Sequence, residues 1–177
     1  MILSEAEFTV LRQTIAARGT VRMVLLPVTL IAWASLTLGL LSFTVIPFAS
    51  LVTLAVLVGG FEAIHALHVG VERIGRYLQV FYETGSDGPR WETTAMAAGP
   101  SLPGGGIDPL FSAVFVGLTV LNVIPGLLPQ PTPLELSAVG LVHAGFIYRV
   151  IRARGAAARQ RAVDLETYLR LRERDRQ

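Results

Sequence analysis

Two uncharged stretches constrain this chain more than any other feature. From Met23 through Phe61, 39 residues pass without Asp, Glu, Lys or Arg; from Pro109 through Tyr148, 40 residues carry only Glu135. A helix that crosses a bilayer needs about 20 mostly apolar residues, so each stretch is two spans long. Each is also interrupted by proline: "FTVIPF" holds Pro47, and "IPGLLPQPTP" holds Pro125, Pro129, Pro131 and Pro133. Proline lacks the backbone donor that a helix interior requires, so it bends or ends the helix there. The expectation is an all-α integral membrane protein with four transmembrane helices arranged as two hairpins. The spans fall at residues 22–44, 47–68, 109–126 and 133–153. A soluble helical bundle would show polar faces on its helices, and these segments show none. Composition agrees, with 52% hydrophobic residues and a mean hydropathy of +0.56, values typical of membrane proteins.

Charge sets the expected orientation. All 15 basic residues are arginine. Arg12, Arg18 and Arg22 precede the first span, Arg73, Arg76 and Arg90 lie between the second and third, and the rest run from Arg149 to Arg176. The two short turns inside the hairpins carry none. Positive charge is retained on the cytoplasmic side, which implies a multi-pass protein of the plasma (inner) membrane with cytoplasmic N and C termini. The first apolar run is too long for a cleavable leader and lacks a following small-residue cleavage site. The chain has no cysteine, so disulfides, thiolate metal sites and cysteine nucleophiles are excluded.

The organisation follows in four parts. Residues 1–20 form an expected N-terminal amphipathic interfacial helix, with a Ser4/Glu7 capping box, Phe8, Leu11 and Ile15 on one face, and a stop at Gly19. Residues 21–84 form hairpin 1 with a cytoplasmic helical extension. Residues 85–108 are a Gly/Pro-rich cytoplasmic loop, in which Trp91 and Met96 are candidates for membrane contact. Residues 109–177 form hairpin 2 with an Arg-rich cytoplasmic helix, begun by Asp108 as N-cap and Pro109 as first helical residue. Helices 2 and 4 are thus extended into the cytoplasm. On the first extension, Ile64, Leu67, Val71, Ile74, Leu78 and Phe81 mark a heptad seam, beside a polar stripe of His65, His68, Glu72, Arg76, Gln79 and Glu83 that should face water. Glu72 and Arg76 have i,i+4 spacing for an ion pair. On the second extension, Ala158, Ala162, Leu165 and Leu169 form a seam, and Glu166 and Arg170 another i,i+4 pair. The two extensions can pack on each other or on partner copies.

Two groups of residues carry the chemical hypotheses. The first is Glu62, His65, His68 and Glu72. The spacing Glu62-x-x-His65 puts carboxylate and imidazole on one helix face, as in carboxylate-bridged di-iron bundles. Such a site needs a second copy of the motif, which the chain lacks. Bis-histidine haem needs two helices at one depth, but His65 lies about 27 Å along its helix from Pro47 and His143 about 15 Å from Pro133. The simpler reading is a helix leaving the membrane, and no cofactor is expected. The second group is His143 with Asn122 and Thr37, which share a depth near the bilayer midplane. Buried polar groups there face a partner or a cavity. An Asn122–His143 hydrogen bond is the structural reading, and an ion- or proton-conducting constriction the functional one. Glu135 belongs to the outer turn or helix start.

Small residues four apart (Ala55, Gly59 and Ala63; Ser35 and Gly39; Ala113 and Gly117) offer faces for close helix packing. Gly59 and Gly60 lie at a depth where they could make room for the His143 ring. Arg149, Arg152 and Arg154 are placed for contact with anionic lipid headgroups. Acidic residues interrupt the Arg-rich tail, which argues against nucleic acid. "GPSLPGGG" lacks the Gly-Lys-Ser/Thr of a phosphate loop, and no serine lies in a nucleophile motif. The expected function is therefore a non-enzymatic structural or accessory subunit, either a homo-oligomer or docked on a larger membrane complex. The alternatives are a small oligomeric channel or transporter using His143 and Asn122, and a metal- or haem-binding redox protein using Glu62, His65 and His68.

Overall fold

The computed structural model describes residues 5–43, 46–84, 90–98 and 109–177, among which every regular element is helical. Helix α1 spans Glu5–Phe43, and α2 spans Ala49–Leu78 and continues as a π-helical turn, Gln79–Glu83. Helix α3 is Trp91–Ala98, α4 is Pro109–Leu121, α5 is Ile124–Leu127 and α6 is Pro133–Arg174. Three helices are long and apolar enough to cross a membrane: α1, α2 with its π turn, and α6.

Several expectations need correction. The N-terminal segment is no separate interfacial helix, because α1 runs unbroken through Gly19. One glycine costs a helix about 1 kcal/mol, too little to end it between "IAAR" and "TVRM". Ser4 and Asp108, proposed as caps, lie outside the described residues. The third apolar segment is shorter than a span. Its helical stretch Phe111–Leu127 covers roughly 25 Å at 1.5 Å per residue, against a hydrocarbon core of about 30 Å. It is also broken at Asn122–Val123. Pro125 cannot donate to the carbonyl one turn back, and the chain tightens to three-residue bonds, Val123 N–H to Val120 O and Gly126 N–H to Val123 O. The described part of the 85–108 loop contains α3, whose "WETTAMAA" has neither glycine nor proline.

The turn before α6 is built for its helix start. Gln130 adopts a left-handed φ of 55°, and Thr132 and Glu135 form a reciprocal capping box: the Thr132 N–H and hydroxyl each donate to Glu135 Oε2 at 2.8 Å. With Pro133 as first helical residue, the start signal "TPLE" is complete.

The chain divides into two compact units. One comprises Met23–His65 and Ile107–Ala153, the other Met1–Arg22, Ala66–Gly106 and Arg154–Gln177. In the first, Leu54, Leu57, Phe61, Phe115, Phe146 and Val150 form the core. Phe61 is its centre, with edge-on rings of Phe115 at 5.3 Å and Phe146 at 5.7 Å. Edge-on contact sets the positive rim of one ring against the negative face of another. Gly60 is where α1 and α2 approach: a Cβ there would overlap the side chain of buried Thr29, whereas Gly59 faces open space. Neither glycine serves the His143 ring. Ala55, Gly59 and Ala63 face outward, so this small-residue stripe is not used for packing within the chain.

The second unit has an aromatic centre, Tyr77, Phe81 and Tyr168, with Tyr77 4.7 Å from Phe81 and edge-on to Tyr168 at 5.6 Å. Phe8 of α1 meets Tyr82 at 5.4 Å, and the Tyr77 hydroxyl donates to Glu7 at 2.9 Å. Burial and that acceptor push the Tyr77 hydroxyl up to about 12, since both penalise the phenolate. Glu72 pairs with Arg161 at 3.5 Å and Arg73 with Asp164 at 3.3 Å. Partners advance together along α2 and α6, so these helices run parallel here.

Candidate functional site

Asn122 is the junction of the first unit's polar cluster, and the helix break at Pro125 places it where α4 ends. It is fully buried, at 0% exposure, and every hydrogen-bonding position of its amide is occupied. The Trp33 indole N–H (α1) donates to Oδ1 at 2.8 Å, and the Thr53 hydroxyl (α2) donates to Oδ1 at 2.6 Å. The Nδ2 group donates to the Ser50 carbonyl at 2.7 Å and to His143 Nε2 (α6) at 3.1 Å. Two partners fix the amide's orientation independently: an indole N–H can only donate and a carbonyl can only accept.

The same logic fixes His143, which is 2% exposed. Its Nδ1 lies 2.8 Å from the Val139 carbonyl, so Nδ1 carries the proton and Nε2 accepts from Asn122. Both imidazole nitrogens are thus engaged within the cluster. Asn122 and His143 are brought together, but Thr37 is not part of the cluster. Its buried hydroxyl has no hydrogen-bond partner; it lines a cavity of about 10 Å³ with Leu40, Leu41, Ile46, Ala49, Thr53 and Pro125. That is room for about one water, not for a substrate.

Trp33, Ser50 and Thr53 were not anticipated from sequence. Trp33 carried a signal, since an indole N–H inside an uncharged run needs an acceptor. Ser50 contributes only its main-chain carbonyl, which any residue would supply.

The histidine–carboxylate segment is dispersed. Glu62 pairs with Arg149 at 2.8 Å, and the Arg149 guanidinium lies over the Phe61 ring at 5.6 Å. His65 stacks on Phe61 at 5.9 Å. His68 Nδ1 lies 3.1 Å from Arg22, and Glu72 is paired with Arg161. These four residues turn to four different partners. Among the described residues no three His, Cys, Asp or Glu side chains converge as a metal site. Of the proposed headgroup contacts, Arg149 is occupied within the chain, Arg152 is exposed with its guanidinium over Tyr148 at 5.6 Å, and the Arg154 side chain lies outside the described residues.

The polar stripe of α2 also departs from expectation. Arg76 is 3% and Glu83 is 4% exposed. Arg76 pairs with Glu92 of α3 at 3.4 Å and donates to Gln79 at 2.7 Å instead of pairing with Glu72, and Arg12 reaches Glu92 at 3.0 Å. Glu83 accepts from the backbone N–H groups of Glu92 and Thr93, both at 2.8 Å. A carboxylate at a helix N-terminus satisfies orphan donors and the helix dipole, so Glu83 ties α3 to α2. Burial holds the Glu92 carboxyl above the usual range even though Arg76 and Arg12 pull it down. The Arg76 and Glu83 end of the stripe meant for water is covered by a helix hidden in a Gly/Pro-rich loop.

No protein-family model matches this chain, and no curated protein or solved structure matches it.

Proposed function

We propose that this chain is a non-catalytic structural or accessory subunit of the plasma (inner) membrane, with four spans, two hairpins and both termini in the cytoplasm. Support for the topology comes from the parallel run of α2 and α6: the chain between them must return across the membrane, and α4 with α5 is the apolar segment available. A short span is accommodated by local thinning of the bilayer. The cysteine-free sequence permits a clean test with single cysteines. In intact cells, Gln130→Cys should react with an impermeant maleimide, while Trp91→Cys and Leu171→Cys react only after permeabilisation. Labelling of Trp91→Cys from outside would refute this topology.

The observation that carries the functional reading is the closure of the Asn122 cluster. A conducting constriction needs polar groups that exchange partners with a passing ion or proton. Here the amide and both imidazole nitrogens are saturated by Trp33, Thr53, Ser50 and Val139, which suits a fastener between helices. Proteoliposomes should show proton and cation flux no greater than protein-free vesicles, and purified protein should carry no stoichiometric metal or haem. Flux abolished by His143→Ala would establish the channel reading instead. Near one iron, zinc or haem per chain, lost in His65→Ala or His68→Ala, would establish a redox protein.

A further inference from the structure

Within the second unit, α6 turns Ala157, Asp164 and Tyr168 toward the rest of its own chain, through the Arg73–Asp164 pair and the Tyr77–Tyr168 contact. The seam of Ala158, Ala162, Leu165 and Leu169 lies on another face of the same helix. Ala158 and Ala162 are exposed, Leu165 is half-buried and Leu169 is 41% exposed. Its 4-3-4 spacing is the repeat of a coiled coil, and packing among the described residues leaves Ala158, Ala162 and Leu169 exposed. The segment lies beyond the apolar run, so lipid tails do not account for a continuous apolar stripe on it.

We propose that this stripe is an interface with a second copy of the same chain, packed as a parallel coiled coil. The inference rests on the reading of the chain as a self-associating membrane subunit. Two observations select this occupant. The first is geometry. Copies inserted in one membrane share their orientation, so their α6 helices meet in parallel about an axis along the membrane normal, an isologous contact. The second is charge. Arg161 stands just before Ala162 and Glu166 just after Leu165, on opposite flanks of the stripe. Their separation is the offset at which flanking residues of two parallel helices face each other, so Arg161 meets Glu166 of a second copy, and the reverse. Arg161 keeps Glu72 at 3.5 Å and, with five donors, can serve a second carboxylate. Glu166 keeps its i,i+4 partner Arg170 through Oε1 at 2.5 Å, and with its side chain 63% exposed its second oxygen can accept from another chain. Alanine at two of the four stripe positions allows close helix approach, and a 3.5-residue repeat winds such a pair left-handed.

Single cysteines in native membranes provide the test. Under mild oxidation, Ala162→Cys and Leu165→Cys should form disulfide-linked dimers about five-fold or more above Val163→Cys. Val163 is exposed, as Ala162 is, but sits off the stripe. Because Ala162 is exposed, Ala162→Glu should leave helix content unchanged while reducing the detergent-solubilised protein to monomer by light scattering. Equal cross-linking at Val163, or background cross-linking at all three positions with Ala162→Glu leaving the mass unchanged, would overturn the interface. Failure here is distinguishable from failure of the subunit reading: the former appears as missing cross-links, the latter as flux or bound metal.

Discussion

Asn122→Ala is expected to be the most damaging single change in the unit built around Phe61, lowering stability by about 2–4 kcal/mol. A hydrogen bond between transmembrane helices averages about 0.6 kcal/mol, and Asn122 makes four that reach α1, α2 and α6. Its loss also strands the Trp33 indole N–H and His143 Nε2, and each buried polar group left unpaired costs about 1–3 kcal/mol. Chemical unfolding in a mild detergent, followed by circular dichroism, measures the change. Thr37→Ala is the matched control. Its hydroxyl is also buried but has no partner, so truncation should shift stability by less than about 0.5 kcal/mol. Similar losses in the two variants would show that Asn122 does not fasten the helices.

Arg76→Met should be comparably severe in the other unit, at about 3–5 kcal/mol, the usual result of removing one partner from a buried ion pair. Methionine keeps much of the side-chain length, so the effect reports charge rather than a cavity. The loss should depend on pH, with a definite sign. The Glu92 carboxyl already sits above its ordinary value because burial outweighs Arg76 and Arg12. Without Arg76 it rises further, so its neutral form is the one the fold tolerates. A carboxyl raised by folding costs stability above its folded value, and that cost fades as pH falls below it. The deficit of Arg76→Met should therefore be smaller at pH 5 than at pH 8. Adding Glu92→Gln should flatten the pH dependence and recover part of the stability. A deficit that grows on acidification would contradict this arrangement of charges.

Some of this was legible in the residues. Uncharged runs interrupted by proline can satisfy their backbone in lipid only as helices, so helix type and approximate breaks follow from composition and spacing. The Asn122–His143 contact was legible too, because counting along helices from the outer turns gives depth. Other features were hidden for identifiable reasons. Gly19 looked like a stop, but a local preference of about 1 kcal/mol is overridden inside a 39-residue helix. Helix α3 was obscured by its glycine- and proline-rich flanks, and its start depends on Glu83, nine residues before Glu92. Counting placed Thr37 at the depth of Asn122, but its hydroxyl makes no hydrogen bond to the cluster.

What the sequence by itself determined, then, is the all-helical character, apolar stretches long enough for a membrane, and the clustering of arginine at their ends. These follow from period, length and charge, which are properties of short stretches. Only the tertiary structure decided which face of each helix is used. It buried Arg76 and Glu83 against α3, gave Glu62 to Arg149 instead of a metal, and left Ala158, Ala162 and Leu169 of the α6 seam exposed. The physical reason is that a helix offers several faces of similar composition, and its rotation is settled by partners distant in the chain.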